Sequence, residues 1–131
     1  MKIVKEIIAI IRPNAVRKTA EALSSVGFPA MTMCECFGRG KQKGYFALNM
    51  PDLVDLDKIR EEGEALGLHL KYIPKRMISV VAEEADVPLV VGLIMKVNRT
   101  GRFGDGKIFV MPTEDAIRIR TGESGDIAIG N

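Results

Sequence analysis

The chain has no tryptophan, one histidine, two cysteines and almost no excess of either charge, and each scarcity removes a class of function. Five Phe and two Tyr give few platforms for base stacking, and 19 Lys and Arg against 17 Asp and Glu leave a net charge of +2. Neither nucleic acid nor a membrane surface is therefore an expected partner. Cys34 and Cys36 form a C-x-C pair with no second pair to complete a four-ligand metal site, so they are expected to be structural thiols in a reducing compartment. No uninterrupted apolar run reaches about 18 residues, and the start Met1-Lys2-Ile3-Val4-Lys5-Glu6 lacks the apolar core and small-residue cleavage site of a signal peptide. A soluble, cytoplasmic protein without membrane insertion is expected.

Catalytic signatures are missing too. The single histidine, His69, lies in a long central segment, and Ser24, Ser25, Ser79 and Ser124 have no nucleophile elbow around them. Lys107 is followed by Ile108, which breaks a P-loop, and the G-x-G at Gly38 is not followed by a helical pattern as a dinucleotide fingerprint requires.

What is present is enough for one domain, residues 1–131, with 47% hydrophobic residues to supply its core. Ile7 to Ile11 is a nearly continuous β-branched run that reads as a strand stopped by Arg12-Pro13. Val16, Ala20 and Leu23 then recur at helical spacing, with Asn14 as the expected cap and Gly27 as the terminator, before a second strand over Ala30 to Phe37. The order returns in the second half: a strand over Met77 to Val81, a helix capped by Asp86 carrying Val87, Val90, Val91, Ile94 and Val97 and ending near Asn98, and a strand over Lys107 to Met111. Two strand-helix-strand halves predict an α+β, ferredoxin-like split βαβ sandwich: a four-stranded antiparallel sheet with two helices on one face. Residues 38–75 stand between the halves as an insertion too long to be an inert connection, with a possible helix placing Leu53, Leu56, Ile59 and Leu66 on one side.

Basic residues gather beside glycines at Arg39-Gly40-Lys41-Gln42-Lys43 and at Gly104-Asp105-Gly106-Lys107, and again without glycine at Lys75-Arg76 and Arg118-Ile119-Arg120. A charge run alone is usually a solvated face, and alternation such as Arg118-Ile119-Arg120 is what a half-exposed strand shows. Glycine beside a cation is different, because backbone N–H groups can then approach an anion closely, as in a phosphate cradle.

Thr100-Gly101-Arg102-Phe103-Gly104-Asp105-Gly106-Lys107-Ile108-Phe109-Val110, followed by Arg118-Ile119-Arg120-Thr121-Gly122-Glu123, resembles the C-terminal signature of the PII nitrogen signal proteins. Gly38 to Gly44 is similar to the start of that family's T-loop, Ile73-Pro74-Lys75 to its end, and Ile8 to Thr32 to its first strand, helix and turn. The resemblance implies a trimer, as a homotrimer or a mixed assembly with a paralogue, that is a regulatory ligand-binding protein rather than an enzyme. Gly104, Asp105, Gly106 and Lys107 would hold the phosphates of ATP or ADP; Arg118 and Arg120 would reach them across the subunit boundary; Thr32, Gly40 and Lys41 would line the nucleotide site. Gln42 would ligate Mg²⁺ beside 2-oxoglutarate, and Lys75 would pair with a carboxylate of that ligand.

Ser79 stands where the family commonly carries a glutamate, and the middle segment lacks the usual loop with its modifiable tyrosine, leaving Tyr45 and Tyr72 as neighbours only. Control by uridylylation is therefore not expected. The Gly-Arg-Gly-Lys-Gln-Lys-Gly opening and the exit at Lys71 to Arg76 look most like the nitrogenase-regulating PII-like proteins of archaea and anaerobic bacteria, which implies inhibition of dinitrogenase by direct contact when fixed nitrogen is plentiful. The alternatives are a PII protein acting on an ammonium transporter or glutamine synthetase, a slow nucleotide hydrolase, and an RNA-binding module.

Overall fold

β1 (Val4–Ile11) can sit at the centre of a sheet because its apolar residues serve both faces. Ile7, Ala9 and Ile11 are buried beneath the helices, whereas Ile8 and Ile10 point to the opposite face. The computed structural model describes residues 2–39 and 72–130. Within them β1 is followed by α1 (Val16–Ser25), β2 (Thr32–Gly38), β3 (Ile73–Glu83), α2 (Val87–Asn98), β4 (Lys107–Thr113) and a short terminal helix, α3 (Asp126–Ile129). β1 pairs antiparallel with β3 and β4, and β2 pairs antiparallel with β3, which gives the order β2-β3-β1-β4. This is the expected ferredoxin-like sandwich. Its core joins Ile7, Ala9, Ile78 and Val80 of the sheet to Leu23 of α1 and to Val90 and Ile94 of α2.

The helices begin differently from the sequence expectation. Neither Asn14 nor Asp86 supplies a side-chain cap; each lies in a 3-10 turn, Pro13–Ala15 or Glu84–Asp86, that leads into its helix. The turns provide backbone bonds instead, with Val16 N–H donating to Pro13 and Val87 N–H donating to Glu84. Gly27 does end α1 as expected. At a φ of +96° its N–H reaches the Ser24 carbonyl, and Phe28 N–H reaches Leu23 at 2.9 Å, a Schellman closure that turns Phe28 onto the core.

Asn98, at the end of α2, does more than punctuate it. Its buried amide donates to Thr19 Oγ1 at 3.0 Å and to the Ile94 carbonyl at 2.9 Å, while Thr19 itself donates to Ala15. The two helices are thus pinned by one polar bridge in which each buried group has a partner.

Arg118-Ile119-Arg120 forms a turn, which settles against a half-exposed strand as the bland reading of its alternation: Gly122 N–H closes onto the Arg118 carbonyl at 2.7 Å, below an isolated bridge between Ile117 and Ser124. Lys75 lies inside β3 and is 7% exposed, because β3 begins at Ile73 and pairs with β2 through Gly38. Gly40, Lys41, Gln42, His69, Tyr45 and the possible helix carrying Leu53 to Leu66 lie outside the described residues.

Candidate ligand-binding site

The glycine-rich turn between α2 and β4 is built around one carboxylate. Asp105 Oδ2 accepts the N–H groups of Thr100 at 2.8 Å and Gly101 at 2.9 Å, while Oδ1 accepts the Thr100 hydroxyl and Arg12 Nη1, the latter at 2.7 Å. The Thr100 hydroxyl and N–H, then Arg12 and the Gly101 N–H, hold the Asp105 carboxyl far below its ordinary pKa of 3.8. Gly101, Gly104 and Gly106 have φ of +85°, +99° and +105°, a region that L side chains rarely adopt, so the loop can reverse this tightly only with glycine at those positions.

Two cations grip the turn from the strand side. Arg12, immediately after β1, uses its second nitrogen to reach the Phe103 carbonyl at 3.1 Å, and Lys75 Nζ donates to the Gly104 carbonyl at 2.7 Å. Burial, with a smaller contribution from the nearby Arg12 charge, lowers the Lys75 pKa below 10.5; Asp105 and Cys36 oppose the shift. Gly104 uses one of the three donors of this ammonium, and the amine borders an open cleft, so an anionic ligand fits its chemistry.

That cleft has a volume of about 500 Å³, and its walls bring together Lys75, Gly104, Asp105, Gly106 and Lys107 with Gly38 and Arg39 from the end of β2. Five residues expected to bind ligand, Lys75, Gly104, Asp105, Gly106 and Lys107, therefore meet at one place. A second, mainly apolar cleft of about 410 Å³ lies towards α2, with Asp105, Gly106 and Lys107 again forming part of its wall. Thr32 lines neither and pairs with Ser79 at the start of β2. Ser79 donates to Glu6 Oε2 at 2.8 Å, so this face of the sheet carries a carboxylate beside Ser79.

Arg118 is also away from both clefts within this chain. Its guanidinium binds Glu123 at 2.9 Å and the carbonyls of Ile127 at 3.2 Å and Gly130 at 2.8 Å, and Arg120 is exposed. Sequence reasoning missed Arg12 and Thr100 as parts of the site. Arg12 reads as the end of a strand, and nothing local announces a partner 93 residues away.

Residues 4–123 match the family described as nitrogen regulatory protein P-II. The nitrogen fixation nifHD region GlnB-like protein 2 of Methanothermococcus thermolithotrophicus is 71% identical over 127 residues, covering 97% of this chain and 99% of that protein. The protein of the same description from Methanobacterium ivanovii is 53% identical over 130 residues, covering 95% and 98%. The crystal structure of Arabidopsis thaliana PII bound to citrate superposes with a TM-score of 0.70 at 28% identity, covering 97% of this chain and 92% of that one. A match across both strand-helix-strand halves, joined to the same sandwich fold, shows that the chain belongs to the PII family of nitrogen regulatory proteins.

Proposed function

We propose that this member of the PII family is a cytoplasmic sensor of ATP or ADP and 2-oxoglutarate that inhibits dinitrogenase by direct contact when fixed nitrogen is plentiful. The observation that carries the reading is the convergence of a glycine turn, Lys107 and the amine of the largely buried Lys75 on one cleft. Such a turn offers close backbone approach to phosphate oxygens, and Lys107 adds a positive charge at its rim. Lys75 would bind a carboxylate of 2-oxoglutarate from the inner side.

Two polyanionic ligands packed together in one cleft repel each other unless cations intervene. Mg²⁺ would supply that compensation through Gln42 and oxygens of the two ligands, since no acidic or histidine cluster suited to a metal occurs among the described residues. The sheet face carrying Ile8, Ile10, Phe109 and Met111 is partly open in the single chain, which suits the trimeric assembly usual in the family. In that assembly Arg118 and Arg120 reach the phosphates from a neighbouring subunit, and Thr32, Gly40 and Lys41 line the nucleotide site. The segment between β2 and β3, with Gly40 and Lys41 at its base, acts as the T-loop that meets the target. The relatives' descriptions as products of nifHD regions favour dinitrogenase as that target.

Activity assays of purified dinitrogenase test the reading. Added protein should inhibit substrate reduction, and ATP with 2-oxoglutarate should restore it. Full activity at saturating protein would reject dinitrogenase as target, and co-purification with an ammonium transporter or glutamine synthetase would then identify the alternative.

A further inference from the structure

The cations that grip the glycine turn also determine which way its amides point. Arg12 holds the Phe103 carbonyl at 3.1 Å and Lys75 holds the Gly104 carbonyl at 2.7 Å, so two successive carbonyls face the strand side of the turn. All described peptide bonds are trans, and a trans peptide sets its N–H opposite its C=O. The N–H groups of Gly104 and Asp105 are consequently aimed away from Arg12 and Lys75. Neither donates to any acceptor among the described residues. Two neighbouring free amides of this kind form a concave site for an anion.

The frame behind those amides is held by the Asp105 carboxylate, whose two oxygens take four donors from Thr100, Gly101 and Arg12. With its oxygens engaged there, Asp105 has little capacity left for a ligand. As a negative group it would also oppose a phosphate directly.

We propose that Arg12 and Asp105 are positioning residues for the phosphate-binding turn: their ion pair, with the Arg12 bond to Phe103, fixes the peptide planes that present the Gly104 and Asp105 amides. The inference rests on the nucleotide reading above, but it changes the role of Asp105 from ligand contact to frame and adds Arg12, which that reading does not use. Arginine suits the position because its planar fork spans a carboxylate and a carbonyl at once, which the single ammonium of lysine does less well.

Calorimetric titration of the intact protein with ATP and separately with adenosine provides the test, using Arg12→Gln, Asp105→Asn, Arg12→Lys and the Arg12→Gln/Asp105→Asn double variant. Each single variant should lose about tenfold or more in ATP affinity, since charge-assisted bonds orient the phosphate site. Adenosine affinity should stay within about twofold, and the double variant should be no weaker for ATP than the weaker single one, because both residues act through one frame. Equal loss of ATP and adenosine would overturn the proposal in favour of general damage to the fold. Full ATP affinity in Arg12→Lys would also overturn it, since charge alone would then suffice, as would strictly additive losses in the double variant. A wild-type protein that binds no ATP would reject the nucleotide reading together with the frame, whereas wild-type binding unaffected by the substitutions rejects the frame only.

Discussion

Gly106→Ala should destabilise the protein by about 3 kcal/mol or more and reduce its folded yield. A Cβ built on Gly106 falls 1.8 Å from the Ile10 carbonyl oxygen and 2.9 Å from its carbon, at a φ of +105°. Ile10 cannot easily withdraw, because it lies in the central strand and is in register with both Met77 and Lys107. Relief would require the glycine turn to lift from β1, and the anchors of Arg12 and Lys75 on that turn would be lost with it. Gly101→Ala is the natural control: its φ is +85°, yet nothing lies within 4 Å of the added carbon. Backbone strain alone should then cost about 1 to 2 kcal/mol. Urea denaturation of both variants at matched protein concentration separates the cases, and equal stability of the two would refute the close approach between turn and strand.

The second large effect is expected at Lys75. Lys75→Met keeps most of the side-chain stem in its buried place but removes the ammonium, so 2-oxoglutarate affinity should fall by about 10- to 100-fold. Nearly normal affinity in this variant would mean that the ligand's carboxylate is held elsewhere.

The wild-type pH dependence gives an independent reading of the same group. Burial, followed by Arg12, depresses the Lys75 pKa in the folded protein, while Asp105 and Cys36 pull it upwards. Only the charged amine attracts the carboxylate, so 2-oxoglutarate affinity should decline as pH rises through this lowered pKa, before the ordinary lysine value of 10.5 is reached. Fold stability has the opposite sign. Between the lowered pKa and 10.5 the unfolded chain binds more protons at this residue, so the Lys75 contribution to stability improves as pH rises. Lys75→Met should remove both trends, and calorimetric titration with parallel denaturation across alkaline pH would detect them.

How much of this was legible in the sequence depends on whether the determining contacts are local. The Ile7 to Ile11 run, the helix carrying Val90 and Ile94, and the strand at Lys107 announce themselves by periodicity, and the fold follows from their order. Gly27 was readable because a helix terminator acts on its own chain neighbours. The caps assigned to Asn14 and Asp86 were not, since each residue was taken up by a 3-10 turn whose backbone satisfied the entering amide. Alternation over three residues likewise could not separate a strand from the turn found at Arg118 to Arg120.

The site divides the same way. Gly104, Gly106 and Lys107 form a contiguous pattern whose chemistry is visible locally, whereas the frame that orients them depends on Arg12 at the far end of the chain. Lys75 was recognised as a cation by its place in a basic pair, but its burial depends on how β3 lies between β1 and β2. That arrangement is a property of the assembled sheet and has no signature within Lys75-Arg76 itself.

The central claim, that phosphate and carboxylate ligands share one cleft, is tested most directly by titrating 2-oxoglutarate in the absence and presence of saturating Mg-ATP. Binding should be weak without nucleotide and much tighter with it, and 2-oxoglutarate should tighten ATP by the same factor, as linkage requires. Equal 2-oxoglutarate affinity in both conditions would contradict the shared cleft.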